Sequence, residues 1–272
     1  MKISWVLLTW NSEKYIENCL KSIARLKGIE SQIIVVDNGS ADDTIKIIED
    51  FRNIHDIELI KNSSNQGTTK PRNTGLRKVD DDSDYICILD SDTVINTDAV
   101  KTLIKHLLED DKALIAGPKL VTSKGVEQPS ARTFPTLTTK IYKACPIKSI
   151  ENKGRQMEKC PNESETKPFQ ADVIMSACWM MKPEIIEKVG MLDEYYFYSP
   201  EDTEYCLRTQ MRGYKVLYCP DAQIVHEWQR LSKKKIFSKV NFESLKGHFH
   251  MFKQYGYCFD TRKLKKRMKQ AQ

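Results

Sequence analysis

Between residues 3 and 118, short apolar runs alternate with stretches of helical periodicity, and few folds accept that rhythm. Gln32–Asp37 (QIIVVD) is a near-continuous Ile/Val run, the composition of a parallel strand covered on both faces. Ile3–Thr9, Ile57–Lys61, Tyr85–Leu89 and Leu114–Pro118 read as four more strands. Between them, Glu13–Leu26, Ala41–Phe51, Thr69–Val79 and Asp98–Leu108 have helical spacing, with Ser40 placed to cap the second and Asp42 and Asp43 in its first turn. Strand–helix alternation of this kind predicts an α/β chain with a doubly wound, mostly parallel sheet flanked by helices. Ligands of such sheets bind outside the carboxyl ends of the strands, so the residues just after each strand are the ones to inspect.

The rest of the chain is less regular. From Thr122 to Pro168 the pattern gives way to Ser, Lys, Glu and Pro, which predicts a long excursion, either a mobile substrate-side loop or an inert insertion. Structure resumes over Ala171–Met181, with Pro183–Val189 and Ser199–Gly213 as helices and Lys215–Cys219 as a short strand.

Length and composition exclude several classes. A chain of 272 residues with 40% apolar and 29% charged residues is neither disordered nor fibrous. No segment approaches the roughly 18 apolar residues of a membrane span, and MKISWVLLTWN enters a strand without a leader-like cleavage site. Eight cysteines without a CxxC pair, four of them (Cys87, Cys178, Cys206 and Cys219) in apolar runs, read as buried thiols of a cytoplasmic protein. Asn38-Gly-Ser40, Asn62-Ser-Ser64 and Asn162-Glu-Ser164 match the glycosylation triplet, a pattern common by chance.

Several strand ends carry polar chemistry. The strand YICIL runs into Asp90-Ser91-Asp92, whose two carboxylates, two residues apart on extended chain, address one point. Such a pair suits a hard divalent cation that shares its shell with substrate phosphates; it also suits a solvated turn. Thr9-Trp10-Asn11 and Asp37-Asn38-Gly39-Ser40 follow the first two strands, where they either hydrogen-bond a nucleoside or form Asx turns. Arg72 opens the helix after the third strand and is placed for phosphate or for a plain cap. Neither a G-x-G-x-x-G nor a Walker loop occurs. In FYSPEDTEYCLR, Ser199 and Pro200 fit the N-cap and first helical position, which puts Glu201 and Asp202 second and third. Asp202 there is either a general base beside the helix dipole or a capping acid. His226 follows a later strand and would complete a ligand set with two aspartates, or serve structure alone.

Taken in order, TWN, VVDNGSADDT, NQGTTKPRNTG, ILDSDT, VGMLDEYYFYSPEDTEYCLR and GYKVLYCPDAQIVH resemble the family 2 glycosyltransferases of GT-A fold, most closely their rhamnosyltransferase-like branch. The stretch Gln128-Pro-Ser-Ala-Arg132-Thr-Phe-Pro135 is also similar to that branch. The resemblance implies inverting, metal-dependent transfer of a sugar from a nucleotide-diphosphate donor, dTDP-rhamnose or a UDP-sugar, to a glycan or lipid-linked saccharide. It implies that Thr9, Asn11, Asp37, Asn38, Arg72, Asp90 and Ser91 bind the nucleotide. Asp92, with Asp90 and His226, would hold Mn²⁺ or Mg²⁺. Asp202 would be the catalytic base and Glu201 its support. Many members carry Asp where this chain has Asn38, which leaves uracil, thymine and guanine open. The rival readings are a non-catalytic nucleotide-sugar or glycan-binding module and a sugar-1-phosphate nucleotidyltransferase. The latter needs a Gly- and Lys/Arg-rich loop after the first strand, and TWNSEKYI is not one.

The match covers residues 3 to 228, so the expected division is a catalytic domain over 1–228, with a nucleotide-sugar half (1–120) and an acceptor half (121–228), and a basic segment over 229–272. The net charge of +6 resolves along the same boundary: residues 231–272 carry 12 Lys+Arg against 2 Asp+Glu, and the remainder is mildly acidic. Ile236, Val240, Leu245, Phe249 and Phe252 give the tail an apolar side, and Lys233–Lys235 and Arg262–Lys269 are basic blocks. This pattern predicts either contact with an anionic membrane surface, peripheral to the cytoplasmic face, or a helix docked on the catalytic domain with a solvated charged end. No nucleic-acid partner is expected. Oligomeric state is left open by the sequence.

Overall fold

The computed structural model describes residues 1–161, 165–227 and 239–271, apart from the side chains of 239–241. The triplet at Asn162, the basic block Lys233–Lys235, Ile236, the side chain of Val240 and the expected boundary at 228/229 lie outside the described residues.

The elements run β1 (Lys2–Thr9), α1 (Ile16–Ala24), β2 (Glu30–Asp37), α2 (Thr44–Arg52), β3 (Ile57–Lys61), α3 (Thr69–Leu76), β4 (Tyr85–Asp90), β5 (Thr93–Val94), α4 (Thr97–Glu109) and β6 (Ala113–Val121). They continue through β7 (Glu127–Gln128), β8 (Ala131–Arg132), α5 (Leu137–Ala144), α6 (Lys148–Glu158), β9 (Phe169–Gln170), β10 (Val173–Ile174) and β11 (Cys178–Met181). The last are α7 (Ile185–Lys188), α8 (Glu201–Met211), β12 (Lys215–His226), α9 (Lys239–Tyr255) and α10 (Arg262–Ala271). The main sheet has the order β3-β2-β1-β4-β11-β6-β12-β5. Neighbours β3, β2, β1 and β4 are parallel, as are β6 and β12, whereas β11 runs antiparallel between β4 and β6. The architecture is the expected mostly parallel α/β sheet.

Strand alternation divides the core. Ile3, Trp5 and Leu7 of β1 point to one face, where they pack with α1, α2 and α4 through Leu20, Ile48 and Leu103. Val6, Ile34 and Ile88 point to the other, against α3 and α8 through Leu76 and Leu207. Met251 and Phe252 of α9 and Leu264 and Met268 of α10 are buried in that second cluster, so both C-terminal helices pack on the sheet's helical layer. No described helix is long and apolar enough to cross a membrane. Cys87, Cys178, Cys206 and Cys219 are buried free thiols, as their apolar settings predict.

Four expectations are corrected. The excursion 122–168 is built rather than loose among its described residues: β7 pairs with β6, β8 with β10, and α5 and α6 form a helical hairpin. Buried Glu158 at the end of α6 anchors that hairpin by accepting Lys140 Nζ (3.1 Å) and Lys143 Nζ from α5. A polar composition concealed it, since the residues the two helices bury are Thr139, Gly154 and Glu158, and no apolar period marks them. Next, α8 begins one residue later than the Ser-Pro pattern suggests, with Pro200 at the N-cap and no side-chain cap from Ser199. Likewise α2 begins at Thr44, and Ser40 donates to Asp37 Oδ1 (2.5 Å) in place of capping. Finally, the strand expected over Lys215–Cys219 extends to His226 after an irregularity between Cys219 and Gln223.

Candidate active site

Register brings the strand ends to one level. On β1, Thr9 lies opposite Asp37 of β2 and Leu8 opposite Asp90 of β4, so three polar termini stand side by side at the carboxyl edge. Asp37 is fully buried and closes its own turn, accepting from the backbone N–H of Gly39 (3.1 Å) and Ser40 (3.0 Å). Asn38 is equally committed. Its Nδ2 donates to the Gly67 carbonyl (2.8 Å) and its Oδ1 accepts from Gln66 N (2.9 Å), which ties β2 to the loop before α3. At Gly67 φ is +85°, and a Cβ there would stand 2.0 Å from the Phe197 carbonyl oxygen, so only glycine fits this junction. Asn11, at φ 48°, braces the same rim by accepting Ala41 N (2.8 Å). Ser91 is hydrogen-bonded to Ser12 (2.9 Å).

The acidic pair gains its third member through the sheet edge. Immediately after Asp92, β5 pairs antiparallel with the end of β12, Thr93 opposite His226, and Glu227 N donates to the Asp92 carbonyl (3.0 Å). His226 Nε2 thereby lies 3.4 Å from Asp92 Oδ1. One donor atom from each of Asp90, Asp92 and His226 falls within 4.8 Å of the others. Two carboxylates and one imidazole so disposed fit a divalent cation that keeps further positions for phosphate oxygens. Burial depresses the His226 imidazole, but the Asp92 hydrogen bond and the charges of Asp92 and Asp90 outweigh it and hold its pKa above the ordinary value.

Arg72 is turned into the protein. It is 2% exposed, and its guanidinium reaches Asp90 Oδ1 (2.7 Å), Ser176 Oγ (2.9 Å) and Glu201 Oε1 (3.4 Å), so it links the end of β4 to the start of α8. Burial, opposed by the Arg72 charge and reinforced by Asp92, raises the Asp90 carboxyl. Burial and the adjacent Asp202 push Glu201 up to about 7 against the same Arg72. Asp202 accepts from Thr203 N (2.6 Å) through Oδ1, while Oδ2 is paired with the guanidinium of Arg132.

Two residues given no role from sequence therefore enter the site, Gln128 against His226 and Arg132 against Asp202. Both belong to the stretch Gln128–Pro135 that resembles the rhamnosyltransferase-like branch, and this was the signal that marked them. Among the described residues, the buried side-chain atoms without a protein partner are Thr9 Oγ1, Thr68 Oγ1, Arg72 Nε and Arg132 Nε. Three of those residues (Thr9, Arg72 and Arg132) are at this site.

Comparison with known proteins agrees with this architecture. Residues 4–190 match the model of glycosyl transferase family 2. The dTDP-rhamnosyl transferase RfbF of Shigella flexneri is 29% identical over 222 residues, covering 81% of this chain and 67% of that protein. The poly(ribitol-phosphate) beta-N-acetylglucosaminyltransferase TarS of Staphylococcus aureus is 32% identical over 165 residues, 54% of this chain, but the chain spans only 28% of its length. Among solved structures, GalNAc-T7 with UDP, GalNAc and Mn²⁺ superposes with a TM-score of 0.69 at 14% identity, covering 94% of this chain and 49% of that one. The match spans more than half of the sequence, the sheet order accommodates it, and the chain therefore belongs to glycosyl transferase family 2, as a glycosyltransferase of GT-A fold.

Proposed function

We propose that this chain is a metal-dependent, inverting glycosyltransferase that moves a sugar from a nucleotide-diphosphate donor to a hydroxyl of a glycan or lipid-linked saccharide. The observation that carries the reading is the convergence of Asp90, Asp92 and His226 at the carboxyl edge of the sheet. A divalent cation, Mn²⁺ or Mg²⁺, held there would neutralise the departing diphosphate, a contribution of several kcal/mol in comparable sites. Thr9, Asn11, Asp37, Asn38 and Ser91 form the nucleotide rim. Asp37 and Asn38 shape it through the turns they close, and the unpartnered Thr9 hydroxyl is available to the nucleoside. Arg72 holds Asp90 and Glu201 in register across the site.

Asp202 accepts the proton of the acceptor hydroxyl as that oxygen bonds to the anomeric carbon and the bond to the diphosphate breaks on the opposite face. Base assistance of this kind is typically worth about 10²–10⁴-fold. Glu201 supports the acceptor side. The relatives support dTDP-rhamnose or a UDP-sugar as donor. We place the enzyme at the cytoplasmic face of a membrane, held by its C-terminal helices: α10 turns Leu264 and Met268 inward and leaves Arg262, Lys263, Lys265, Lys266, Arg267 and Lys269 outward, and α9 exposes Phe242, Leu245 and Phe249.

The deciding experiment incubates the chain with dTDP-, UDP- and GDP-sugars, with Mn²⁺, with Mg²⁺ or with chelator. Release of free nucleoside diphosphate that requires metal and is lost in Asp92→Ala is the expected result. Pyrophosphate release would instead identify a nucleotidyltransferase, and donor binding without turnover a binding module.

A further inference from the structure

Gln128 is 1% exposed, a burial that a side-chain amide tolerates only when its polar atoms are satisfied. Both of them are engaged by one residue. The amide Nε2 donates to the His226 carbonyl oxygen (2.6 Å), and Oε1 lies 2.7 Å from His226 Nδ1. The two contacts together remove an ambiguity that neither removes alone. A backbone carbonyl only accepts, so the NH₂ of the amide must face it. The amide oxygen is then the atom opposite the ring, and because it too only accepts, the proton of the neutral imidazole must sit on Nδ1. In the neutral ring Nε2, the atom that faces Asp92, then keeps its lone pair for a cation, in place of the proton it shares with Asp92 when the ring is charged.

The arrangement is imposed by the sheet. Gln128 on β7 stands opposite Leu120 of β6, which in turn lies beside Ile224 of β12, two residues before His226. The amide thus grips both ends of one residue, its main chain and its ring.

We propose that Gln128 is a positioning residue that holds His226 in the Nδ1–H tautomer, aims Nε2 into the Asp90–Asp92 pair, and thereby sets the affinity of the cluster for a divalent cation. The proposal rests on the reading of Asp90, Asp92 and His226 as a cation site. It assigns Gln128 no contact with substrate. Partners of this kind orient metal-binding histidines elsewhere, and their loss typically costs about 10–100-fold in metal affinity.

The test titrates the full chain with Mn²⁺ alone, following free ion by electron paramagnetic resonance, and reads the His226 ring by ¹⁵N chemical shifts, assigned with His226→Ala. Gln128→Leu should weaken Mn²⁺ binding about 10–100-fold and shift the ring toward the Nε2–H form, with an unchanged far-UV spectrum. Gln128→Glu, which retains an acceptor opposite Nδ1, should keep the Nδ1–H signature and bind Mn²⁺ far more tightly than Gln128→Leu. If Gln128→Leu binds Mn²⁺ like the parent while His226→Ala does not, the positioning role is overturned and the cation site stands. If neither His226→Ala nor Asp92→Ala weakens Mn²⁺ binding, the site reading fails and takes the affinity claim with it; the ¹⁵N spectrum still decides the tautomer. Should Gln128→Leu not fold, Gln128→Glu decides alone: a lost Nδ1–H signature there overturns the proposal.

Discussion

The guanidinium of Arg132 is paired with the carboxylate of Asp202, 70 residues further along the chain. The proposed base is therefore met in the resting protein by a fixed cation from β8, on the side chain's Oδ2, while Oδ1 is held by Thr203 N (2.6 Å). With Asp202 as base, an acceptor hydroxyl would meet that guanidinium, which would tie acceptor entry to the segment carrying Gln128.

Asp202→Asn preserves the shape of the side chain and removes its capacity to take a proton. Turnover is expected to fall by about 10²–10⁴-fold with donor affinity retained. Single-turnover transfer and donor titration by calorimetry measure the two quantities. Near-normal turnover in this variant would falsify the base assignment. Arg132→Gln should act mainly on acceptor KM, since Arg132 is paired with the proposed base and not with the residues of the nucleotide rim.

Stability should depend on Glu158 in acid. Burial opposes ionisation of this carboxyl, but Lys140, Lys143 and Arg132 overcome it and bring its pKa down to about 2. A carboxyl depressed from an unfolded value of about 4.3 contributes stability that is complete above that value and is lost as pH falls toward 2. The same burial holds Lys140 below the ordinary lysine value, which offsets part of the gain on its partner. Glu158→Gln is thus expected to cost about 1.5–3 kcal/mol at pH 7 and to flatten the decline between pH 5 and 2. Denaturant midpoints across that range measure it; a variant whose midpoints parallel the parent throughout would show that stability does not depend on this carboxylate.

Membrane contact through α10 should be electrostatic, because the apolar residues Leu264 and Met268 are already buried against the protein. Attraction of roughly 1 kcal/mol per basic residue near an anionic surface predicts flotation with phosphatidylglycerol vesicles in low salt and release by high salt. Replacing Lys263, Lys266 and Lys269 by Gln should abolish flotation while leaving donor hydrolysis intact. Equal flotation of parent and variant would remove α10 from the contact.

Much of the scaffold is legible in the chain because the forces that set it are local. A run such as QIIVVD has the composition of a doubly covered strand, and an acidic pair directly after YICIL is delivered to the sheet edge by the strand itself. The ordered motifs likewise identify the family from residues alone. The C-terminal helices show the limit of that legibility: their sequence admits either a membrane face or a docked helix, and Met251, Phe252, Leu264 and Met268 are in fact packed into the core.

What the sequence determined by itself was the βα rhythm and the family, and it singled out Asp90, Asp92, Asp202 and His226 as candidates for the site. Only the tertiary structure decided how they meet. His226 reaches Asp92 because a two-residue strand, β5, pairs antiparallel with the far end of β12. Gln128 and Arg132 enter because β7 and β8 fold back from a segment whose polar composition shows no period at all. Periodicity reports the side chains' alternation against their immediate neighbours, whereas these contacts join residues 70 to about 130 positions apart, and their register is set by which strand edges remain unpaired once the sheet has formed.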